Sequence, residues 1–359
     1  MLNQNDNFSI ASRASHAALV EEQFTSLLRA GLGKVTSEPL EAQDTVGLSA
    51  LLSETGVSGA EWAECYALVE SDNRFAFLGG LAHSTAVAIE AANSLELSLF
   101  GNAEELGPCI VAPLQAFIRV LDGLVDDVPE IFSSQKENIL TLVQFGLGET
   151  NIRNVRKEDE CNHIVIDLLY KIALTWTGVV RSTPGFSDPS IRAIFLQAVD
   201  KAMRAEYFNA NCIIDGYPSN IEALRDSVRA KSADVAWVIA LIPILVRGWP
   251  LDLDRNEYHS VANLFGTYVG WVDDICDVLE DLDQGRWSDV LLELYSFSCK
   301  STMGSPAATK YEFSELLKND DCRAHLVKIG VAHQVAFFDM LVEIGADPMP
   351  IAKLVAHAL

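Results

Sequence analysis

Leu264 to Trp287 reads L-F-G-T-Y-V-G-W-V-D-D-I-C-D-V-L-E-D-L-D-Q-G-R-W. Its first half is apolar at helical spacing, through Leu264, Phe265, Tyr268, Val269 and Val272. Its second half is acidic. Asp273, Asp277 and Asp281 fall at i, i+4 and i+8, and Asp274, Glu280 and Asp283 flank them. The spacing predicts one helix that stacks three carboxylates on a single face. Like charges at i and i+4 cost a helix a few tenths of a kcal/mol per pair. A chain that accepts this cost needs solvent or a counter-ion there. Because the preceding turns look like core, the acids are expected at the mouth of a pocket. A hard divalent cation such as Mg²⁺ suits such oxygen donors.

Earlier in the chain the same pattern recurs. Pro113 opens an apolar band of Leu114, Phe117, Ile118, Leu121, Leu124 and Val125, and Asp122, Asp126 and Glu130 follow at i, i+4 and i+8. Pro113 suits a first helical turn, and Pro129 marks a kink or an end. Between the two acid stripes, Ile221 to Val246 is predicted as a helix that starts amphipathic, with Arg225, Arg229 and Lys231, and ends apolar. Pairing of Lys231 with Asp226 or Asp234 on its own helix is one expectation for it; contact with a bound anion is the other.

The rest of the chain is helical too. Further helices are predicted over His16–Leu32, Leu48–Leu52, from a capping box at Ser58 and Glu61 to Val69, and as one long helix over Phe75–Leu99. Others are predicted over Ser134–Phe145, Glu160–Val180, Ser190–Ile214, Leu291–Phe297 and from Phe313 onward. S-T-P-G-F-S-D-P at 182–189 and a Ser/Gly/Pro-rich stretch at 301–308 read as loops. No strand alternation, repeat period or dividing linker is evident. The expectation is all-α: a flexible tail over 1–15, then a single-domain antiparallel helix bundle over 16–359.

Composition removes whole classes of function. The 359-residue chain carries 50 acids against 26 bases, a formal charge of −24. That excludes the basic footprint of a nucleic-acid binder and opposes attraction to an anionic membrane. An anionic substrate would need metal ions to recruit it. The seven cysteines form no C-x-x-C pair and read as reduced thiols in a cytoplasmic protein. The polar start, Met1 to Ile10, is unlike a signal peptide. The longest apolar run, Val235–Val246, is interrupted by Pro243 and too short for a membrane span.

The motifs resemble those of class I isoprenoid synthases. Asp126-Asp127-Val128-Pro129-Glu130 is similar to their first aspartate-rich motif, with Glu in the last place. Asp273-Asp274-Ile275-Cys276-Asp277 is similar to the second. R-A-K-S-A-D-V-A-W at 229–237 resembles the lysine-centred segment of all-trans prenyl diphosphate synthases, and Gly266 and Gly270 keep their glycine spacing. The resemblance spans roughly residues 110–295. It implies a helix-bundle fold, a prenyl diphosphate substrate, a cluster of three Mg²⁺ ions and a homodimer. On it, Asp126, Asp127, Asp273 and Asp277 are the catalytic acids, and Asp126, Asp127, Glu130, Asp273, Asp274, Asp277 and Asp281 the metal ligands. Lys231, Arg286 and Arg225 would hold the diphosphate. Phe117, Phe195, Tyr268 and Trp271 would wall the hydrocarbon, where aromatic faces favour a cation.

The departures concern a second substrate. Chain-elongating synthases carry an arginine pair soon after the first motif; here Ile131-Phe132-Ser133-Ser134-Gln135 precedes the first base, Lys136. Their Phe-Gln before the second motif is Gly270-Trp271-Val272, and their Gly-Gly-Lys is echoed only by Gly31-Leu32-Gly33-Lys34. The spacing of Asp273, Asp277 and Asp281 also follows the three-ligand motif of terpene cyclases, with Asp in the Ser/Thr and Glu places. The resemblance thus favours a terpene synthase that ionises one prenyl diphosphate and cyclises or rearranges the cation. A prenyltransferase is the alternative, and a non-catalytic partner of an active synthase a further one; the retained acids oppose the last.

Overall fold

A computed structural model describes residues 45–102, 107–133, 164–209, 214, 220–250, 253–297 and 306–358. The expected tail over 1–15 and the helices over 16–32 and 134–145 lie outside these residues. In chain order the helices are α1 (Thr45–Glu54), α2 (Gly59–Ser71), α3 (Leu81–Phe100), α4 (Ala112–Asp126), α5 (Pro129–Ser133), α6 (Ile164–Ser182), α7 (Pro184–Ser187) and α8 (Pro189–Asn209). They continue as α9 (Ile221–Arg247), α10 (Arg255–Cys276), α11 (Val278–Gln284), α12 (Asp289–Phe297), α13 (Pro306–Leu317), α14 (Asp320–Glu343) and α15 (Met349–Ala358). The described residues contain no β-strand, so the protein is all-α.

Local chemistry sets many of the ends. Ser58 accepts from the Glu61 N–H while Glu61 accepts from the Ser58 N–H, the reciprocal capping box opening α2. Asn220 caps α9 through the Ala223 N–H at 3.1 Å. Asp254 caps α10 by accepting from Asn256 and Glu257.

Three expectations are corrected. The predicted long helix over Phe75–Leu99 is a 3-10 segment, Asn73–Gly80, followed by α3. Gly79 and Gly80 stand at the junction, where poor helix propensity weakens the α-ladder. The first acid stripe breaks where Pro129 was expected to break it: α4 ends at Asp126, and Pro129 starts α5, because the residue before proline is pushed out of the α region. The second stripe breaks at Asp277 (φ −108°, ψ 10°) between α10 and α11. Backbone bonds from Asp277 to Asp273 and from Asp281 to Asp277, both 2.9 Å, carry the register across this break. The loop expected at 182–189 contains the single helical turn α7.

Packing is organised by α9. It lies along α8 on one side and α10 on the other, and α10 backs onto α14. On the far side, α4 packs between α3 and α6. The apolar end of α9, Ala236 to Leu245, is core, and Pro243 stands inside the continuous helix. By length and composition Asn73–Phe100 and Asp320–Glu343 reach the measure of a membrane span, which the sequence had assigned to no segment. The first packs through α3 on α1, α4 and α15, and the second is α14 against α10.

The α9–α10 contact is unusually close, and this is where Gly266 and Gly270 matter. A Cβ at Gly266 would sit 2.5 Å from the Ser232 carbonyl oxygen and 2.6 Å from the Ala233 Cα; at Gly270 it would sit 2.5 Å from the Ser232 Oγ. Small residues on both helices let the backbones touch, directly after Lys231 and one to two turns before Asp273. Gly266→Val is expected to cost at least about 1–3 kcal/mol, the range for overpacking a filled core. A shift of the urea midpoint measures it; a variant as stable as the parent would show that the helices do not meet there.

Candidate active site

The ends of α4 and α10 do not pack on each other. A hollow of about 180 Å³ lies between them, roofed by α11 and bordered by α9. Among the described residues, eight carboxylates line it: Asp122, Asp126, Asp127, Asp273, Asp274, Asp277, Glu280 and Asp281. Three bases stand with them, Arg119, Lys231 and Arg286. The two acid stripes therefore meet across one space, although they lie about 150 residues apart in sequence.

Lys231 reaches from α9 to the first acid stripe. Its Nζ donates to Asp122 Oδ1 at 2.5 Å and lies 3.8 Å from Asp126 Oδ2. Arg286 reaches the same acids from the other side. Its Nη1 is 2.9 Å from Asp126 Oδ2, its Nη2 is 3.6 Å from Asp127 Oδ1, and Nη2 also donates to the Asp126 carbonyl at 2.7 Å. Gly285 makes this possible. At φ 72° it ends α11 in the left-handed region, which glycine enters without penalty, and the chain turns so that the Arg286 N–H bonds the Asp281 carbonyl at 2.9 Å. Arg119 contributes Nη1 at 3.2 Å from Asp122 Oδ2.

Eight anions against three cations leave the hollow short of positive charge. Burial holds the Asp126 carboxyl above the usual carboxylate range; Asp122 adds to the rise, and Lys231, Arg286 and Arg119 oppose it. Burial likewise raises Asp127, against the pull of Arg286. Asp273 is open to the hollow yet enclosed by protein mass. That enclosure raises it, with Arg119 and Lys231 opposing and Asp122 and Glu280 adding. Asp281 is pushed from its ordinary 3.8 up to about 7, first by burial and then by Asp273 and Asp277, while a Ser288 hydrogen bond and Arg286 work against the rise.

A measurable consequence follows for Asp281. Between pH 4 and 7 the folded chain holds a proton that the unfolded chain has released, so stability falls as pH rises through this window. Asp281→Asn should flatten the fall. Urea midpoints at pH 5 and pH 7.5 test it, and an unchanged slope in the variant would refute the assignment.

Not every expected residue is in the hollow. Glu130 lies beyond the break in α4, 58% exposed, and accepts from Arg74 at 2.6 Å instead. Arg225 braces α12 onto α9: it lies 3.1 Å from Glu293 and 3.7 Å from Asp289, and donates to Ser296 at 3.2 Å. Asp274 lines the hollow, but its Oδ2 accepts from the Asp289 N–H at 2.6 Å. Its carboxyl is raised well above the usual range, by burial first and then by Asp281 and Asp273.

The four expected wall aromatics turn away into the core, Phe195 fully buried among them. Phe117 stacks on Trp176 with ring centroids 5.8 Å apart. Trp271 packs against His333 at 5.5 Å, and Tyr268 is 2% exposed. Their places at the hollow are taken by Phe77 and Trp287. Phe77 lies across Gly123, where a Cβ would sit 2.2 Å from its ring. Arg119 and Phe77 were not singled out in the sequence. Arg119 had a signal, since it stands seven residues before Asp126 and thus on the same helix face. Phe77 had none, because only the fold brings it there.

No protein-family model matches the chain, and no curated protein matches it. Solved structures do resemble it. A geranylgeranyl pyrophosphate synthase from Lactobacillus brevis is 14% identical, with 93% of this chain and 89% of that one covered at a TM-score of 0.45. A geranylgeranyl pyrophosphate synthetase from the archaeon Geoglobus acetivorans is 15% identical, with 96% and 97% covered and a TM-score of 0.44. A farnesyl diphosphate synthase from T. brucei is 15% identical, with 96% and 97% covered and a TM-score of 0.42. With TM-scores below 0.5 these likenesses decide nothing about the chemistry. The chain is similar to solved geranylgeranyl and farnesyl diphosphate synthases in helical architecture over most of its length.

Proposed function

We propose that the chain ionises a prenyl diphosphate in the hollow between α4 and α10, with Mg²⁺ as cofactor. The observation that carries this is the meeting of both acid stripes with Lys231, Arg119 and Arg286 in one enclosed space. The donor set suits the metal: carboxylates raised by burial and mutual repulsion lack counter-charge, and Mg²⁺ takes oxygen ligands. Among the described residues no three acidic, His or Cys side chains converge on a single point, so ligand positions would adjust on binding.

Asp126 and Asp127 would hold metal from α4, and Asp273, Asp277 and Asp281 from the opposite wall. Glu130, turned to Arg74, is left out of this set. Bound Mg²⁺ supplies charge that offsets the leaving diphosphate as the C–O bond breaks. Lys231 and Arg286 would grip the diphosphate oxygens. Arg286 is already oriented by the Asp126 carbonyl, so its guanidinium is placed before substrate arrives, which is how preorganised charge lowers a barrier.

Cyclisation or rearrangement of the resulting cation is the first reading. Three bases line the hollow, and each already faces a carboxylate; that set matches one diphosphate. Transfer to a second prenyl unit is the other reading. Arg119, a base on α4 outside the quoted motifs, would serve it where Lys231 and Arg286 alone hold the first diphosphate.

Purified chain incubated with Mg²⁺ and geranyl, farnesyl, geranylgeranyl or geranylfarnesyl diphosphate, with and without isopentenyl diphosphate, separates the two. A hydrocarbon or alcohol from one diphosphate supports the first. A longer diphosphate formed only with isopentenyl diphosphate supports the second. No product and no release of diphosphate under any condition would overturn the proposal.

A further inference from the structure

We propose that a second hollow, formed by α8, α9 and the first turn of α10, binds a phosphate group. It has a volume of about 220 Å³. Lys201 and Gln197 come from α8, Trp237 from α9, and Arg255, Asn256 and His259 from α10. It is remote from the acidic hollow: Arg255 and Asp273 stand near opposite ends of α10, roughly 27 Å apart at 1.5 Å per residue.

Among the described residues, the lining of this second hollow carries two bases and no carboxylate. In a chain with 50 acids and 26 bases, a base has carboxylates in plenty to pair with. Yet neither Lys201 nor Arg255 forms an ion pair with a described residue, while both face this hollow. Asp234 is the carboxylate that Lys201 and His259 feel; burial raises it and the two bases pull it down. Asp254, at the rim, spends Oδ1 on the Asn256 and Glu257 N–H groups at 2.8 and 3.1 Å. Lys201 and Arg255 thus face the hollow without a close counter-ion, with Asp234 half-buried beside them, which leaves room for an added anion.

The geometry suits a tetrahedral oxyanion. Arg offers a planar fork and Lys a mobile point charge. Gln197 and Asn256 add amide donors. His259 is set edge-on to Trp237, with ring centroids 4.8 Å apart, and its Nδ1 lies 3.4 Å from Asn263 Nδ2. Its second nitrogen remains for a ligand. Burial and the neighbouring Lys201 and Arg255 hold this imidazole below its usual range, with Asp234 opposing; a bound phosphate would reverse that balance. Buried Trp237 gives the hollow an apolar floor, which would favour an organic phosphate over the free ion.

Calorimetric titration of the full chain with inorganic phosphate, and separately with phenyl phosphate, tests this without Mg²⁺ present. Saturable binding is expected, lost at least tenfold in Lys201→Ala/Arg255→Ala and unchanged in Lys231→Ala/Arg286→Ala. Tighter binding of phenyl phosphate would point to an organic phosphate as the natural ligand, and equal binding to the free ion. The NMR signal of the His259 ring, identified by its loss in His259→Gln, should move downfield with phosphate. No saturable binding, or binding that follows Lys231 and Arg286, would overturn the proposal. It stands apart from the reaction at the acidic hollow, so failure of either leaves the other testable.

Discussion

Asp126→Asn/Asp273→Asn should lower turnover of a prenyl diphosphate by at least about 10³-fold, the scale seen when preorganised charge stabilisation is removed. The two residues face each other across the hollow from α4 and α10. Each change keeps shape and removes one anionic metal ligand. The fold should survive, for a reason visible in the structure. Burial holds the Asp126 carboxyl above its usual range, so its ionised form is less favoured folded than unfolded, and Asp273 opens to the hollow, where an amide is readily solvated. At Asp126 a neutral amide relieves that strain, and the metal-free variant should be at least as stable as the parent near pH 7. Product formation with Mg²⁺, read beside the urea midpoint, tests both halves. A double variant that still turns over at the parent rate would remove these acids from the chemistry.

Arg247→Met should destabilise the fold by about 3–5 kcal/mol, the cost of stranding one partner of a buried ion pair. Arg247 closes α9, and its Nε donates to Glu96, whose side chain is fully buried in α3. The guanidinium also donates to the Asn102 side chain and carbonyl, each at 3.2 Å, and lies 5.2 Å from the Phe100 ring centroid. Removing the arginine leaves a carboxylate inside the bundle with its main counter-ion gone. Glu96→Gln/Arg247→Met should recover much of the loss, because an amide costs far less to bury than an anion. Chemical denaturation of both variants measures the difference. A single variant losing under 1 kcal/mol, or a double variant no better than the single, would refute the pair's role.

Much of the helical framework was legible because helix signals are local. The Ser58–Glu61 box, the Asn220 cap and the i, i+4 apolar bands each involve neighbours within two turns. The break at Pro129 was legible for the same reason, whereas the Gly79-Gly80 pair interrupts a helix that hydrophobic spacing alone would continue. The acid stripes were legible as chemistry, since carboxylates massed at the ends of core helices stand out from any apolar pattern. Their partners were only partly so. Lys231 could be placed near them, but its reach to Asp122 depends on how α9 is rotated against α4.

The aromatic walls show where sequence stops. Phe117, Tyr268 and Trp271 sit at helical spacing close to the motifs, yet they face the core, while Phe77 and Trp287 border the hollow. A helix repeats every 3.6 residues, so a difference of one position turns a side chain by about 100°. Periodicity tells which residues share a face; packing alone tells what that face meets. By itself, then, the sequence determined the all-α class, the two acid stripes and the bases between and after them. Only the tertiary structure decided that the stripes meet, that Glu130 and Arg225 turn elsewhere and that Arg119 joins the site, because those outcomes depend on helix rotation and crossing, which contacts distant in sequence set.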